Sequence, residues 1–535
     1  MKLTQQGIQQ KAVWTEKGFS LPSFDREAMI AETTKNPTWI HFGAGNIFRG
    51  FPAALQQTLL EQNKAKTGII VGEGFDYQII DKIYDKHDNL TLLVTLKSDG
   101  TIEKKVIASV AAAYKCDPQF KDEWAFFKKA FRNPSLQMVS FTITEKGYSL
   151  KAGNGEFYPA MASDLAAGPS SPSMFLSKLT ALVYERYLAG KKGLTLVSMD
   201  NCSHNGEKLQ SAVLTIAQAW EKGGLVEKGF VAYLEQSVSF PWSMIDKITP
   251  RPDANVEKML QADGFEDTTL VVTDKNTYIA PFVNAEECEY LVIEDSFSNG
   301  RPALEETGVY FTDRDTVNKV EKMKVCTCLN PLHTALAIYG CLLGYTLIAD
   351  EMKDPLLNKL VHTIGYVEGM PVVVDPKILD PKQFIKEVLE KRIPNPFMPD
   401  TPQRIATDTS QKLGIRFGET IKAYMANDKL DVADLKLIPL VFAGWIRYLM
   451  GLDDEGNAFT PSPDPRLEDA MAHVKGIAIG DKGPFSEQLK PLLGDISLFG
   501  VDLYAIGMAS LVETYFTEMV ASKGSIRKTL EKYIY

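Results

Sequence analysis

The sequence predicts an α/β protein: an N-terminal doubly wound, Rossmann-type parallel sheet domain followed by a mostly α-helical C-terminal domain. Three observations carry this. Short apolar runs alternate with helix-patterned segments through the first half, as parallel strands joined by crossover helices do. A glycine-rich turn, Gly43-Ala-Gly45, separates the first run from the first helix pattern, as in dinucleotide-binding folds. After about residue 300, strand alternation fades and helix-compatible apolar segments take over. We therefore expect a nucleotide-binding domain over residues 1–300 and a helical domain over residues 301–535, to which the resemblance described below assigns substrate binding and catalysis.

Thr38–Phe42 and Gly68–Val71 read as the first two strands, with the helix Phe51–Gln62 between them. Met138–Ile143, Leu194–Met199 and Leu270–Val272 continue the strand set. Leu92–Leu96 and Ile102–Val106 form a hairpin across Lys97-Ser-Asp-Gly100, whose Asp-Gly pair is a turn signal. Ser296-Phe-Ser-Asn-Gly-Arg-Pro302 has the punctuation of a domain boundary. Beyond it, Leu332–Ala349, Leu440–Met450, Arg466–Val474 and Leu503–Val520 read as helices, with Pro439 suited to a first turn. The most apolar stretch, Ala335–Ala349, falls short of the ~20 residues a membrane span needs and predicts a buried core helix.

Lys and Arg number 58 against 68 Asp and Glu, a net charge of −10. That argues against a basic nucleic-acid surface as the main working face, while leaving room for a local cationic pocket. The polar N-terminus lacks the apolar core of a signal peptide. Six cysteines in 535 residues are too few for a disulfide framework. We expect a cytoplasmic protein with reduced thiols, bound to neither nucleic acid nor membrane, as a monomer or small homo-oligomer. Cys326-x-Cys328 with His333 nearby fits no common zinc spacing, so no metal is expected.

The turn His41-Phe-Gly-Ala-Gly-Asn-Ile-Phe-Arg-Gly-Phe51 carries the cofactor signal. Gly43 allows a tight turn, Gly45 lets backbone approach a pyrophosphate, and helix N-terminal amides then supply donors. Phe48 stands where the third glycine of the usual pattern would be, and Arg49 is placed to meet phosphate charge. About 30 residues on, Glu73 and Asp76 both offer a carboxylate to the adenosine ribose, which favours NAD over NADP. Two further turns, Ser140–Tyr148 and Ser198–Gly206, end apolar strands with polar residues, where open α/β sheets bind ligands. Asp246 sits in an apolar run, either paired with Lys247 or another cation, or orienting a site.

Together these segments resemble the polyol-specific long-chain dehydrogenases. That family takes in mannitol dehydrogenase, mannitol-1-phosphate dehydrogenase and the fructuronate (mannonate) and tagaturonate (altronate) oxidoreductases. The resemblance runs through H-F-G-A-G-N, T-E-K-G-Y, D-N-x-x-H-N-G, S-M-I-D-K-I-T-P, V-I-E-D-x-F-x-x-G-R-P and E-x-x-K…N-x-x-H. It continues in Asn395–Arg404 and Asp408–Lys412. It implies a metal-independent, two-domain enzyme in which Lys324 is the general acid/base and Asn201 and Asn330 bond the developing oxyanion. His333 would bind substrate hydroxyls, Asp246 would hold the arrangement, and Glu321 would lie near the proton path. Arg404 and Lys412 would contact the far end of the substrate. The cofactor set is Phe42, Gly43, Gly45, Asn46, Arg49, Glu73, Asp76 and Thr144. A lysine amine, with a reference pKa near 10.4, serves as a base at neutral pH only when burial or cationic neighbours lower it.

The family commonly has four residues between its lysine and first asparagine; here there are five. On one undistorted helix, Lys324 and His333 would stand about 900° apart, on opposite faces. The strand-like Val325–Leu329, followed by Asn330-Pro331 as N-cap and first helical residue, suggests that Lys324 precedes the helix. Chain length, the N-P-L-H-T form of the motif and the Arg404/Lys412 pair favour the hexuronate branch, acting on a sugar acid. Mannitol 2-dehydrogenase activity on mannitol and fructose is the alternative. A non-catalytic nucleotide-binding sensor, or a methyltransferase using the G-x-G turn, represents other classes.

Overall fold

The computed structural model describes residues 1–535. The chain divides into two compact units. The first is Met1–Asn318 without Ser98–Gly100; the second is Lys319–Tyr535 with that short segment. Ser296–Pro302 stays with the first unit.

The first unit is built on six strands: β1 (Trp39–Phe42), β2 (Ile69–Glu73), β3 (Val110–Lys115), β4 (Met138–Phe141), β5 (Leu194–Ser198) and β6 (Val238–Ser239). All pair in parallel, in the order β3-β2-β1-β4-β5-β6. That is the doubly wound dinucleotide-fold order, with its reversal between β1 and β4. Successive residues of each strand feed opposite cores. Ile40, Phe42, Val139 and Phe141 pack on one face; Trp39, Met138 and Val197 pack on the other. Burial on both faces is why β1, β2, β4 and β5 read as continuous apolar runs instead of alternating ones; β3, partly exposed toward its end, and the two-residue β6 were not expected from the sequence. Between β1 and β2, α1 (Asn46–Gly50) and α2 (Pro52–Glu61) are separate helices divided at Phe51.

The predicted hairpin is present, Thr91–Leu96 against Ile102–Ile107, in a second sheet completed by Phe19–Ser20 and Phe282–Glu286. Leu270–Val272 does not join the parallel sheet. Only Val271–Val272 is extended, paired antiparallel with Tyr278–Ile279; an apolar run this short carries no information about its partner.

The second unit is helical; its only β-pairing is the isolated bridge between Leu452 and Ala458. The chain enters it through α3 (Arg314–Met323), a π-helical turn Lys324–Cys328, and α4 (Asn330–Leu342). Further on come α5 (Leu437–Tyr448) and α6 (Ala509–Val520). The helical run Arg314–Leu342 is long and apolar enough to cross a membrane, but 72% of its apolar window is buried inside the protein, as in a core helix.

The expected single helix over Ala335–Ala349 is interrupted. α4 ends at Leu342, Gly344 takes φ +77°, and a short helix restarts at Ile348–Glu351. Likewise Leu503–Val520 is helical only from Ala509, after Gly507 at φ +75°. In both cases a glycine in the left-handed region interrupts the expected helix, after its first part at Gly344 and before its start at Gly507.

That interruption folds Glu351 back beneath α4. It is fully buried, and neither carboxyl oxygen has a hydrogen-bond partner. A Cβ on Gly340 would stand 2.1 Å from Glu351 Oε1, so only glycine admits the carboxyl there. Burial, with Asp354 adding to it, pushes the Glu351 pKa up to about 9. The group is therefore protonated at neutral pH, the form whose burial costs least.

Candidate active site

At the carboxyl end of β1, Gly43 takes φ +108°, and a Cβ there would lie 2.2 Å from the Thr142 carbonyl oxygen. Gly45 precedes α1, and a Cβ there would meet nothing within 4 Å. Gly43 is thus demanded by the turn itself, whereas Gly45 leaves open space where a phosphate group would approach. Gly43→Ala is expected to cost about 1–3 kcal/mol of stability and to weaken NAD binding about tenfold or more. Thermal melting and an NAD titration check this; unchanged values in both would refute it.

Phe48, at the third glycine's position, is fully buried and stacks on His41 at 4.3 Å. His41 bonds Ser140 Oγ and Thr142 Oγ1, and burial pushes its pKa down to about 3. It is a neutral strut of the sheet. The Phe42 ring is likewise fully buried, packed on Phe141 and Phe175, so its side chain serves the core.

Glu73 ends β2, and its carboxylate accepts from the amides of Ala44, Phe75 and Asp76 at 2.8–3.0 Å. It ties the glycine turn to the next strand. Burial pushes its pKa up. Asp76 accepts from the Thr273 hydroxyl at 2.6 Å and, with Tyr77, Asp117 and Lys178, lines a cavity of about 690 Å³ past the ends of β2 and β3. Of the two acids only Asp76 faces that cavity. Arg49 does not stand where the sequence suggested. Its guanidinium is 1% exposed and donates to the carbonyls of Ala280 and Pro281 and to Thr91 Oγ1. A buried guanidinium must spend its donors on acceptors, and here they fasten α1 to the second sheet. Asn46 lies alongside, bonded to Arg49 and to the Tyr278 carbonyl.

Thr144 has φ +65° and ψ 159°, a region other residues leave to glycine. Asp200 enforces it by accepting from the amides of Ile143 and Thr144 and from the Tyr148 hydroxyl. Asn205 clamps the next turn. Its amide donates to the carbonyls of Asp200 and Ser243, and its oxygen accepts from the Ser243 amide. This fixes the strand Ser243–Asp246, at whose end Asp246 is buried, and leaves Asn201 exposed on the turn between. Lys247 pairs with Glu289 at 2.7 Å. Asp200 and Asn205 were within the recognised motifs, but their roles as braces follow only from the fold.

In the second unit, Lys324 is 4% exposed and opens the π-turn. The Leu329 amide donates to the Lys324 carbonyl, five residues back, at 3.1 Å. The expected strand-like Val325–Leu329 is therefore helical, in a turn widened by one residue. A π-turn takes up one extra residue, about 100° of rotation. Counted along one ideal path with that turn widened, Lys324 and His333 would stand about 80° apart instead of on opposite faces. Leu329, at φ −131° and ψ −61°, breaks the path, and Asn330 is itself the first helical residue, so the helix begins one residue earlier than expected. α4 has no side-chain cap, so the Asn330 carboxamide is not spent on the helix end. Glu321 lies on the last turn of α3, one turn before Lys324.

His333 Nε2 stands 3.5 Å from Asp400 Oδ2, and Arg404 donates to the other Asp400 oxygen. Burial, then Arg416, Arg404, Arg392 and Lys412, push the His333 pKa down to about 3. The imidazole is neutral. Lys412 donates to the carbonyls of Ile405 and Thr407. Arg416, on the π-turn Gly414–Gly418, donates to Thr334 Oγ1 and to the Asn330 carbonyl. Thus Asn330, His333, Arg404 and Lys412 are gathered around the first turn of α4. Arg416, Arg392 and Asp400 join them without having been singled out in the sequence. The i, i+4 spacing of Asp400 and Arg404, and of Lys412 and Arg416, was the available signal. No group of three or more His, Cys, Asp or Glu side chains is placed to hold a metal ion.

The mannitol dehydrogenase Rossmann domain matches residues 37–306, and the mannitol dehydrogenase C-terminal domain matches residues 316–517. A D-mannonate oxidoreductase of Thermotoga maritima is 54% identical over 536 residues, covering 100% of this chain and 99% of that one. The D-mannonate oxidoreductase of Escherichia coli is 29% identical, covering 87% of this chain and 89% of its own. Among solved structures, mannitol 2-dehydrogenase of Pseudomonas fluorescens, in ternary complex with NAD and D-mannitol, aligns with a TM-score of 0.69. It is 26% identical and covers 99% of both chains. A substrate-free D-sorbitol dehydrogenase aligns at TM-score 0.77 with 25% identity, covering 95% of this chain and 97% of that one. With both of its units matched in order, the chain belongs to the mannitol dehydrogenase family.

Proposed function

We propose that the chain is an NAD-dependent secondary-alcohol oxidoreductase that interconverts a keto-hexuronate and its aldonate, fructuronate with mannonate or tagaturonate with altronate. The observation that carries the substrate class is the cationic surround of His333, namely Arg416, Arg404, Arg392 and Lys412, in a chain of net charge −10. A carboxylate gains from such neighbours and a neutral polyol does not. Full-length identity of 54% to a D-mannonate oxidoreductase supports the same class.

The open space before Gly45 and the cavity lined by Asp76 suit a dinucleotide. When bound, NAD+ would accept the hydride of the alcohol, becoming NADH, and NADH would return a hydride to the ketone. The Lys324 amine takes the alcohol proton in oxidation and returns one to the carbonyl oxygen in reduction. Asn330 and Asn201 donate hydrogen bonds to that oxygen as negative charge develops. With Nε2–H turned toward Asp400, neutral His333 keeps Nδ1 as an acceptor for a substrate hydroxyl. Glu321 passes the proton onward, Asp246 holds the substrate-facing groups in place, and Arg404 and Lys412 meet the far end of the sugar. Six free cysteines suit a reducing cytoplasm.

The test is NADH oxidation against fructuronate, tagaturonate and fructose. We expect kcat/KM on one keto acid to exceed that on fructose by about 100-fold or more, as a site built for a charged group rejects its neutral analogue. Preference for fructose would favour the second reading, mannitol 2-dehydrogenase activity, which two relatives 29% identical to this chain carry in name. NAD binding without turnover of any of the three would leave a sensor.

A further inference from the structure

The cations around His333 are not equivalent. Arg404 is paired with Asp400. Lys412 donates to two backbone carbonyls and has Asp408 and Asp464 near it. Arg416 has no acidic partner. Only its Nη1 is bonded, to Thr334 Oγ1 and the Asn330 carbonyl. Nε and Nη2, the parallel pair of donors along one edge of the guanidinium, are left over. That edge is the one that matches the two oxygens of a carboxylate side-on. Burial alone pushes the Arg416 pKa down, to about 10, and a largely buried guanidinium without a counter-charge is costly to keep.

Its position is fixed from both sides. A Cβ on Gly418 would lie 2.1 Å from the Phe499 carbonyl oxygen, and one on Gly414 would lie 3.2 Å from the Gly500 amide nitrogen. The π-turn carrying Arg416 is thus pressed against Phe499–Gly500, and Nη1 is held by the first turn of α4. The bonded corner aims the guanidinium, and the open edge is what remains to be filled.

We propose that the Nε–Nη2 edge of Arg416 receives the carboxylate of the sugar acid, making Arg416 the residue that separates acid from neutral substrates. This rests on the functional reading above and assigns its charge recognition to one side chain. It also explains Thr334 of the N-P-L-H-T segment, whose hydroxyl orients that guanidinium.

The experiment is steady-state reduction of the preferred keto-hexuronate by wild type, Arg416→Gln, Arg416→Lys and Thr334→Val, each checked by thermal melting. Arg416→Gln is expected to raise KM on the order of 30- to 100-fold, the loss seen when one member of a buried charged pair is removed. Its kcat should stay within about threefold of wild type. Arg416→Lys, which keeps the charge but not the fork, should raise KM about tenfold, and it carries the test if the Gln variant does not fold. Thr334→Val should raise KM by less than Arg416→Gln does. An unchanged KM in both Arg416 variants, with keto acid turned over, overturns this inference and leaves the functional reading standing. A fall in kcat at constant KM, shared by Arg416→Gln and Thr334→Val, also overturns it, because Arg416 would then only brace α4. Failure of the wild type to turn over any keto-hexuronate overturns both.

Discussion

Lys324→Ala is expected to lower kcat on the keto acid by about 10³-fold or more, within the range that a positioned acid/base contributes, while NAD affinity stays near that of the wild type. The amine is 4% exposed at the head of a π-turn, so its removal takes away a group that solvent does not readily replace. On the proposed reading NAD binding falls to other elements, the glycine turn and the β2 and β3 ends, which truncation of Lys324 does not touch. Single-turnover rates with NADH, together with an NAD titration, separate the two. A Lys324→Ala enzyme turning over at the wild-type rate would remove the lysine from the mechanism whatever the substrate.

Glu351→Gln is expected to stabilise the protein at alkaline pH and to leave it nearly unchanged at pH 5. The unfolded chain gives up this proton near the ordinary glutamate value of about 4.3, the folded chain only near 9. Between those values the unfolded state holds fewer protons than the folded one, so stability falls as pH rises. The loss is complete above about pH 9. The Gln variant does not titrate, so its advantage should grow by about 1.4 kcal/mol per pH unit across that window. Unfolding transitions of both proteins from pH 5 to 9 give the slope directly. Parallel curves would mean that the buried carboxyl finds a partner or water as it ionises.

Much of the fold was legible in the sequence. Four of the six parallel strands, β1, β2, β4 and β5, announce themselves because burial on both faces leaves uninterrupted apolar runs; β3, which turns half-buried toward its end, and the two-residue β6 do not, while Asp99-Gly100 marks its hairpin because few residues take that turn. Gly43 could be read because its conformation excludes other residues. What stayed hidden has a common cause: direction. Nothing in the spacing of Arg49 tells whether its guanidinium points out to a phosphate or in to Ala280 and Pro281. The same is true of Glu73, whose carboxylate serves three amides. The π-turn was hidden differently. Val325, Thr327 and the cysteines beside them favour extended backbone locally, and the fold overrides that preference to seat both flanking helices. Arg416 and Thr334 lie 82 residues apart, and only packing brings them together.

The turn at Lys324–Cys328 also bears on tolerance to change in length. A π-turn holds one residue more than an α-helical turn, so a single residue gained or lost here is taken up inside the turn while the helices on either side keep their own hydrogen bonds. Such a change confines its disturbance to five residues and alters chiefly the azimuth of one amine. With Lys324 in its proposed role, it would act on turnover before folding, re-aiming the amine without rebuilding the helices on either side.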